Sequence, residues 1–145
     1  MINVKLPIVA ILPAYNEGSR IEPVVKSCLC FVEKVIVVDD GSSDSTAKAA
    51  AAAGAVVVRH PENRGKGAAI RTAFETFAKD SLPWLVLLDS DGQHDPADIP
   101  MLLETAEKGG YDLILGNRMQ DTSKMPLIRI ATNRFMSWLI SRIAR

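Results

Sequence analysis

The chain has 145 residues, a length that suits one domain, and 48% of them are apolar, enough for a sizeable core. Lysine plus arginine (17) equals aspartate plus glutamate (17), and aromatic residues make up 6%. These balances argue against a nucleic-acid surface or a base-stacking platform, and no run reaches the roughly 18 apolar residues of a membrane span.

In chain order, strand-like and helix-like segments alternate. Ile8–Leu12 is a β-branched strand that Pro13 stops, because proline donates nothing to a ladder. This run lies between Pro7 and Pro13 and is too short for a signal peptide. Ile21–Val32 is expected as a helix with Ser19 as its N-cap. Cys28 and Cys30 point in different directions on that helix, so they form no zinc site or disulfide framework and fit a reducing cytosol.

Val35–Asp39 is a second strand, followed by a Gly-Ser-Ser turn. Asp44–Ala53 is an alanine-rich helix that Asp44 caps and Gly54 ends. Val56–Val58 is a third strand, Gly67–Lys79 a helix, and Trp84–Leu88 a fourth strand. Asp95 and Pro96 read as N-cap and first residue of a helix over Ala97–Lys108, closed by Gly109-Gly110. Leu113–Leu115 is expected as a fifth strand, and an amphipathic helix runs from Leu127 to the end. The last helix stops at Arg145 without a cap, which reads as a domain truncated at its C-terminus. Strands without alternation, separated by helices, predict an α/β fold with a mainly parallel sheet covered on both faces. Residues 1–126 form the expected core and 127–145 the added helix.

In such sheets ligands bind outside the carboxyl ends of the strands. Four polar clusters fall at those ends: Tyr15-Asn16-Glu17, Asp39-Asp40-Gly41, Asp89-Ser90-Asp91 and Gly116-Asn117-Arg118. The third, within LLDSDGQHDP, carries the most chemistry. Two carboxylates one residue apart repel unless a cation sits near them, and Mg²⁺ or Mn²⁺ suits oxygen ligands together with phosphate. The bland alternative is an Asp-rich turn that caps a helix. Asp39 or Asp40 can accept hydrogen bonds from a base or ribose. Asn63-Arg64-Gly65-Lys66-Gly67 is glycine-rich, basic and opens a helix, which suits a diphosphate neighbour, although it is not a P-loop. No G-x-G-x-x-G follows the first strand and no nucleophile elbow occurs. His60 and His94 show no metal spacing and read as structural or peripheral.

PAYNE, VVDDGSSD, NRGKGAA, LLDSDGQHDP and LGNR, in this order, resemble family 2 glycosyltransferases of the GT-A fold, nearest to polyprenyl-phosphate (dolichyl-phosphate-type) hexosyltransferases. The resemblance implies a GT-A-type, Rossmann-like sheet. It implies that Pro13, Ala14, Tyr15 and Glu17 hold base and ribose, and that Asp39, with Asp40 beside it, contacts the base. Lys66 and Gly67 would lie near the nucleotide and donor sugar. Asp89, with Ser90, would face the ribose or sugar, while Asp91 and Gln93 would bind Mg²⁺ or Mn²⁺. Arg118 would serve the donor phosphate or the acceptor. Arg129 and Asn133, four apart, would contact an acceptor phosphate.

The implied reaction moves a hexosyl group from GDP-mannose or UDP-glucose to an acceptor, with a polyprenyl phosphate favoured over a saccharide hydroxyl. Asp89, Asp91 and Arg118 are the expected catalytic residues. Donor binding without turnover is the alternative. A nucleotidyltransferase is disfavoured because it expects a basic glycine-rich loop where PAYNE stands. The terminal helix mixes Trp138 and aliphatic residues with arginines, as in membrane-interface helices. The expected location is cytoplasmic, with peripheral contact at the cytoplasmic face of a membrane.

Overall fold

The computed structural model describes residues 5–116. It divides into two units, Met1–Gly110 and Tyr111–Arg145, and the sheet, its helices and the cavity described below lie in the first. The elements are β1 (Leu6–Ala14), α1 (Ile21–Leu29), β2 (Val32–Asp39), α2 (Thr46–Ala52), β3 (Val56–Arg59), α3 (Lys66–Phe77), β4 (Trp84–Leu87), a 3-10 turn (Pro96–Asp98) and α4 (Ile99–Gly109). All four strands are parallel, in the order β3-β2-β1-β4.

The central strands are apolar on both faces because both are covered. Ile8, Ala10, Leu12, Val35 and Val37 pack with Ile21, Val25 and Cys28 of α1, Ala50 of α2 and Leu103 of α4. Val9, Ile11, Ile36 and Val38 pack on Ala69 and Ala73 of α3. Each fully buried aliphatic side chain contributes about 1.5–3 kcal/mol. Small alanines on α3 let the helix approach the sheet closely.

The strand order reverses at β1. The chain runs outward from β1 to β2 and β3, then crosses over to β4 on the other side of β1. That switch point leaves a crevice between the carboxyl ends of β1 and β4, the usual ligand position in such sheets.

Several sequence expectations need correction. Pro13 does not stop β1; it pairs in register with Val38. β1 is central, but the β4 ladder ends at Ile11↔Leu87, so the missing N–H of Pro13 falls where β4 has already left. Helix α1 ends at Leu29 rather than Val32, because Val32 starts β2 opposite Leu6, where ladder pairing and burial override helical spacing. Its N-cap is Arg20, not Ser19; the amides of Arg20 and Ile21 donate to the Glu17 carbonyl. Helix α2 starts at Thr46, and Asp44 still accepts from the Thr46 amide at 2.9 Å. Residues 113–115 join no ladder and are not a strand; Leu113 and Leu115 are exposed. The expected cap at Asp95 is present, its side chain accepting from the Ala97 amide. Cys28 is buried, which pushes its thiol up to about 11, and Cys30 is exposed. The helix expected from Leu127 lies outside the described residues.

Candidate active site

The loops after β1, β2, β3 and β4 are tied into a ring. The first link joins PAYNE to the β2 turn. The Asn16 amide donates to Ser42 Oγ at 2.9 Å, and the Ser43 amide donates to Asn16 Oδ1 at 3.0 Å. Asn16 holds a positive φ of 54°, which asparagine tolerates better than most residues. The Glu17 amide donates to Thr46 Oγ1 at 2.8 Å and the Gly18 amide to Asp44 Oδ2 at 2.9 Å. The Thr46 hydroxyl and amide, with the Gly18 amide, hold the Asp44 carboxyl below its ordinary value.

The second link joins the β2 turn to the loop before α3. Asp40 Oδ1 accepts from the Arg64 amide at 3.0 Å, and Oδ2 from the Gly65 amide at 2.8 Å. Gly41 permits this approach. At φ 71°, a Cβ there would lie 2.3 Å from the Glu62 carbonyl carbon. The third link is Lys66 Nζ to Asp89 Oδ1, 2.7 Å. The fourth closes the ring, where Ser90 Oγ donates to the Pro13 carbonyl at 2.9 Å.

A cavity of about 330 Å³ opens inside the ring, lined by Pro13, Ala14, Tyr15, Glu17, Asp40, Asn63, Gly65, Lys66, Ala69, Asp89, Ser90 and Asp91. Of the sequence candidates, Pro13, Ala14, Tyr15, Glu17, Asp40, Lys66, Asp89, Ser90 and Asp91 therefore meet at one place. Gly67 is exposed and outside that lining. Gln93 faces a neighbouring cavity that shares Asp91 as a wall. Arg118, Arg129 and Asn133 lie outside the described residues.

Asp39 is fully buried and sits just behind the lining. Its Oδ1 accepts from the Ser42 amide at 3.0 Å. Its Oδ2 makes no hydrogen bond, although Arg59 Nε stands 3.1 Å away as an ion-pair partner out of alignment. Burial alone would raise the Asp40 carboxyl. The amides of Arg64 and Gly65 and the His60 ring outweigh it and hold that carboxyl below its ordinary value.

The acidic turn has ties of its own. The Asp89 amide donates to His94 Nδ1 at 2.8 Å, and the Gln93 amide donates to Asp91 Oδ1 at 2.9 Å. His94 therefore holds the acidic turn through the Asp89 backbone, with its Nδ1 3.9 Å from Asp89 Oδ2, which is the structural rather than the peripheral of the two roles expected for it. Among the described residues, no group of three or more His, Cys, Asp or Glu is placed to hold a metal. That does not disqualify Mg²⁺ or Mn²⁺. Mg²⁺ is ordinarily bound through one or two carboxylates, with water and substrate phosphates completing the shell, and an Asp89/Asp91 pair at a cavity mouth fits that pattern.

Sequence reasoning did not single out Arg59 or Thr46, and it gave His60 only a structural or peripheral role. His60 is buried, with ring atoms 2.6 Å from Asp40 Oδ1 and 2.9 Å from Thr72 Oγ1. Its nearness to the NRGKG loop was the one available signal.

The profile of glycosyl transferase family 2 matches residues 9–144. The chain belongs to glycosyl transferase family 2. It is 34% identical over 140 residues to protein MJ1222 of Methanocaldococcus jannaschii, covering 92% of this chain and 58% of that protein. It is 27% identical over 87 residues to the UDP-N-acetylglucosamine–dolichyl-phosphate N-acetylglucosaminyltransferase of Methanococcus voltae, covering 58% of this chain and 35% of that enzyme. Among solved structures, glucosyl-3-phosphoglycerate synthase of Mycobacterium tuberculosis superposes with a TM-score of 0.59 at 34% identity, covering 70% of this chain and 40% of the synthase. That synthase has been solved with Mn²⁺, UDP-glucose and phosphoglyceric acid together. The chain thus spans little more than half the length of MJ1222 and less of the other two. Its parallel sheet with helices on both faces is the family's α/β fold.

Proposed function

We propose that this domain binds a nucleoside-diphosphate sugar together with Mg²⁺ or Mn²⁺ and transfers the hexosyl group to a phosphate-bearing acceptor. The observation that carries the proposal is the convergence of Asp89, Asp91 and Lys66 on one cavity at the sheet's switch point. A divalent cation held by Asp91 and Asp89, with Gln93 beside them, would supply positive charge where the leaving diphosphate becomes more negative.

The domain's own residues have separate tasks in this reading. Asp39 offers a buried carboxylate oxygen without a hydrogen bond, suited to an N–H on a base edge. Tyr15, half exposed at the cavity wall, offers a face to the base. Glu17, Pro13 and Ala14 line the same cavity beside it. Lys66 lies where a diphosphate would enter. Its pair with Asp89 joins an exposed lysine to a half-buried carboxylate and is worth only about 1 kcal/mol, so an incoming diphosphate displaces it at small cost. The glycosidic carbon–oxygen bond to the diphosphate breaks as the acceptor oxygen bonds to that carbon. A phosphate acceptor is already anionic, so no base has to remove its proton.

The lipid nature of the acceptor is the finer part of the proposal. It draws on the dolichyl-phosphate enzyme of Methanococcus voltae and on the arginine-rich amphipathic sequence of 127–145, with Arg118, Arg129 and Asn133 as the acceptor-side candidates. Peripheral contact with a membrane at its cytoplasmic face belongs to the same reading. Among the described residues, no helix is long and apolar enough to cross a membrane.

Calorimetric titration with UDP-glucose and GDP-mannose, with and without Mn²⁺, tests the donor site. Metal-dependent binding of one of them is expected, and binding of neither would sink the proposal. Transfer to polyprenyl phosphate, measured beside phosphoglyceric acid, tests the acceptor. Binding without transfer to either would leave a donor-binding module.

A further inference from the structure

Asp40 lines the cavity, yet its carboxylate is occupied by the protein itself. The residue is buried and its amide donates to the Ala14 carbonyl at 2.9 Å, which fixes its backbone to β1. Its oxygens accept the Arg64 and Gly65 amides, the latter shared with Asn63 Oδ1 at 3.0 Å, so this side chain ties the turn before α3 to the end of β2. The free rotation of a carboxylate about its χ angles would leave such a turn loosely placed. His60 removes that freedom. Its Nδ1 meets Asp40 Oδ1 at 2.6 Å, and its Nε2 meets Thr72 Oγ1, on the second turn of α3, at 2.9 Å. An ionised carboxylate only accepts, so Nδ1 carries the proton, and in the neutral ring Nε2 accepts from the threonine hydroxyl. The His60 amide also donates to the Asp39 carbonyl at 2.9 Å, so the ring is mounted on the β2–β3 ladder.

We infer that His60 is a positioning residue for the diphosphate end of the donor site, acting through Asp40 and the 63–65 turn on Lys66. The inference rests on the donor site proposed above. The chain Thr72–His60–Asp40 joins α3 to the sheet on the inner side of the turn, while Gly41 lets the 62–63 backbone settle against its other side. Lys66 is the next residue after that turn and reaches the cavity mouth beside Asp89. Fixing residues 63–65 therefore fixes where the Lys66 chain starts. The effect is expected to fall mainly on the outer phosphate, because Lys66 follows the 63–65 turn directly, whereas the Asp40 backbone stays tied to β1 through the Ala14 carbonyl.

The measurement is the ratio of diphosphate to monophosphate affinity, taken with UDP against UMP and GDP against GMP, all with Mn²⁺, on the full chain. In the parent protein the diphosphate binds more tightly, and Lys66→Ala lowers the ratio. His60→Ala is expected to lower the same ratio about tenfold with monophosphate affinity held within about twofold. His60→Asn, whose amide can still donate to Asp40, restores part of the ratio. Thr72→Val, which keeps the Asp40 contact and loses the α3 anchor, gives a smaller drop of about threefold and serves if His60→Ala fails to fold. Equal losses for mono- and diphosphate would make His60 merely structural and overturn the inference, as would an unchanged ratio in both His60→Ala and Thr72→Val. If the parent protein binds no nucleotide at all, the donor site falls and takes this inference with it. If the parent and Lys66→Ala behave as expected while the His60 and Thr72 variants do not, this inference alone fails.

Discussion

The turns that follow β2 and β4 face the same cavity, and each carries two carboxylates, but the protein treats them differently. After β2, Asp40 accepts two backbone amides and a buried histidine, and Asp39 accepts the Ser42 amide. After β4, Asp89 meets an exposed lysine and stands 3.9 Å from the His94 ring, and Asp91 accepts an amide of its own turn. Asp40 spends its charge on architecture. The pair after β4 lies closer to solvent, where a cation and a diphosphate can compete for it. A carboxylate neutralised by buried donors is fixed, whereas one neutralised by an exposed lysine is exchangeable.

The largest test of this contrast is Asp40→Ala. It leaves the Arg64 amide and a buried imidazole nitrogen without their partner, while the Gly65 amide keeps Asn63 Oδ1, and should cost about 3–5 kcal/mol in urea unfolding. Asp40 also sets a pH dependence. Its folded pKa lies below the ordinary 3.8, so its contribution is full above the unfolded value and is lost as pH falls through the folded one. The window therefore starts near 3.8 and extends downward. Asp40→Asn should flatten the stability profile in that range, and an unchanged slope would assign the acid sensitivity elsewhere.

Asp91→Asn probes the other turn. It should leave the unfolding midpoint nearly unchanged while Mn²⁺-dependent nucleotide affinity drops by at least about 100-fold, read by calorimetry. A large stability loss would mean that the acidic turn is architectural after all. Gly41→Ala comes next, at about 2 kcal/mol, since its positive φ and the nearby Glu62 backbone both oppose a side chain. Its nucleotide binding should weaken as well, because the 62–66 segment must move. Ser90→Ala should be the mildest, about 1 kcal/mol, from loss of the tie to the Pro13 carbonyl. If Ser90→Ala matched Asp40→Ala, the two turns would be equally fixed and the contrast would fail.

Much of this was legible in the sequence because it depends on local chemistry. Apolar runs without alternation predicted covered parallel strands, and polar clusters after those runs supplied most of the side chains that line the cavity. Boundaries were less legible. Val32 continues the helical spacing of α1, and only its pairing with Leu6 makes it a strand residue. Pro13 looked like a terminator because a sequence does not reveal that β4 ends before reaching it. Asp39 and Asp40 were indistinguishable as neighbours in one motif. In the fold Asp40 meets His60, which Thr72 of α3 holds in turn, and Asp39 is left with one oxygen lacking a hydrogen bond.

The sequence by itself thus determined the α/β alternation, the family, and the residue types gathered at the strand ends, because strand period and loop chemistry act over a few neighbours. The tertiary structure decided which carboxylate builds and which stays available. That choice depends on donors 20 to 25 residues away along the chain, His60, Arg64 and Gly65 about Asp40, and on a strand order that brings β4 back beside β1. Hydrogen bonds are short-ranged in space and indifferent to sequence separation, so only the folded chain assigns them.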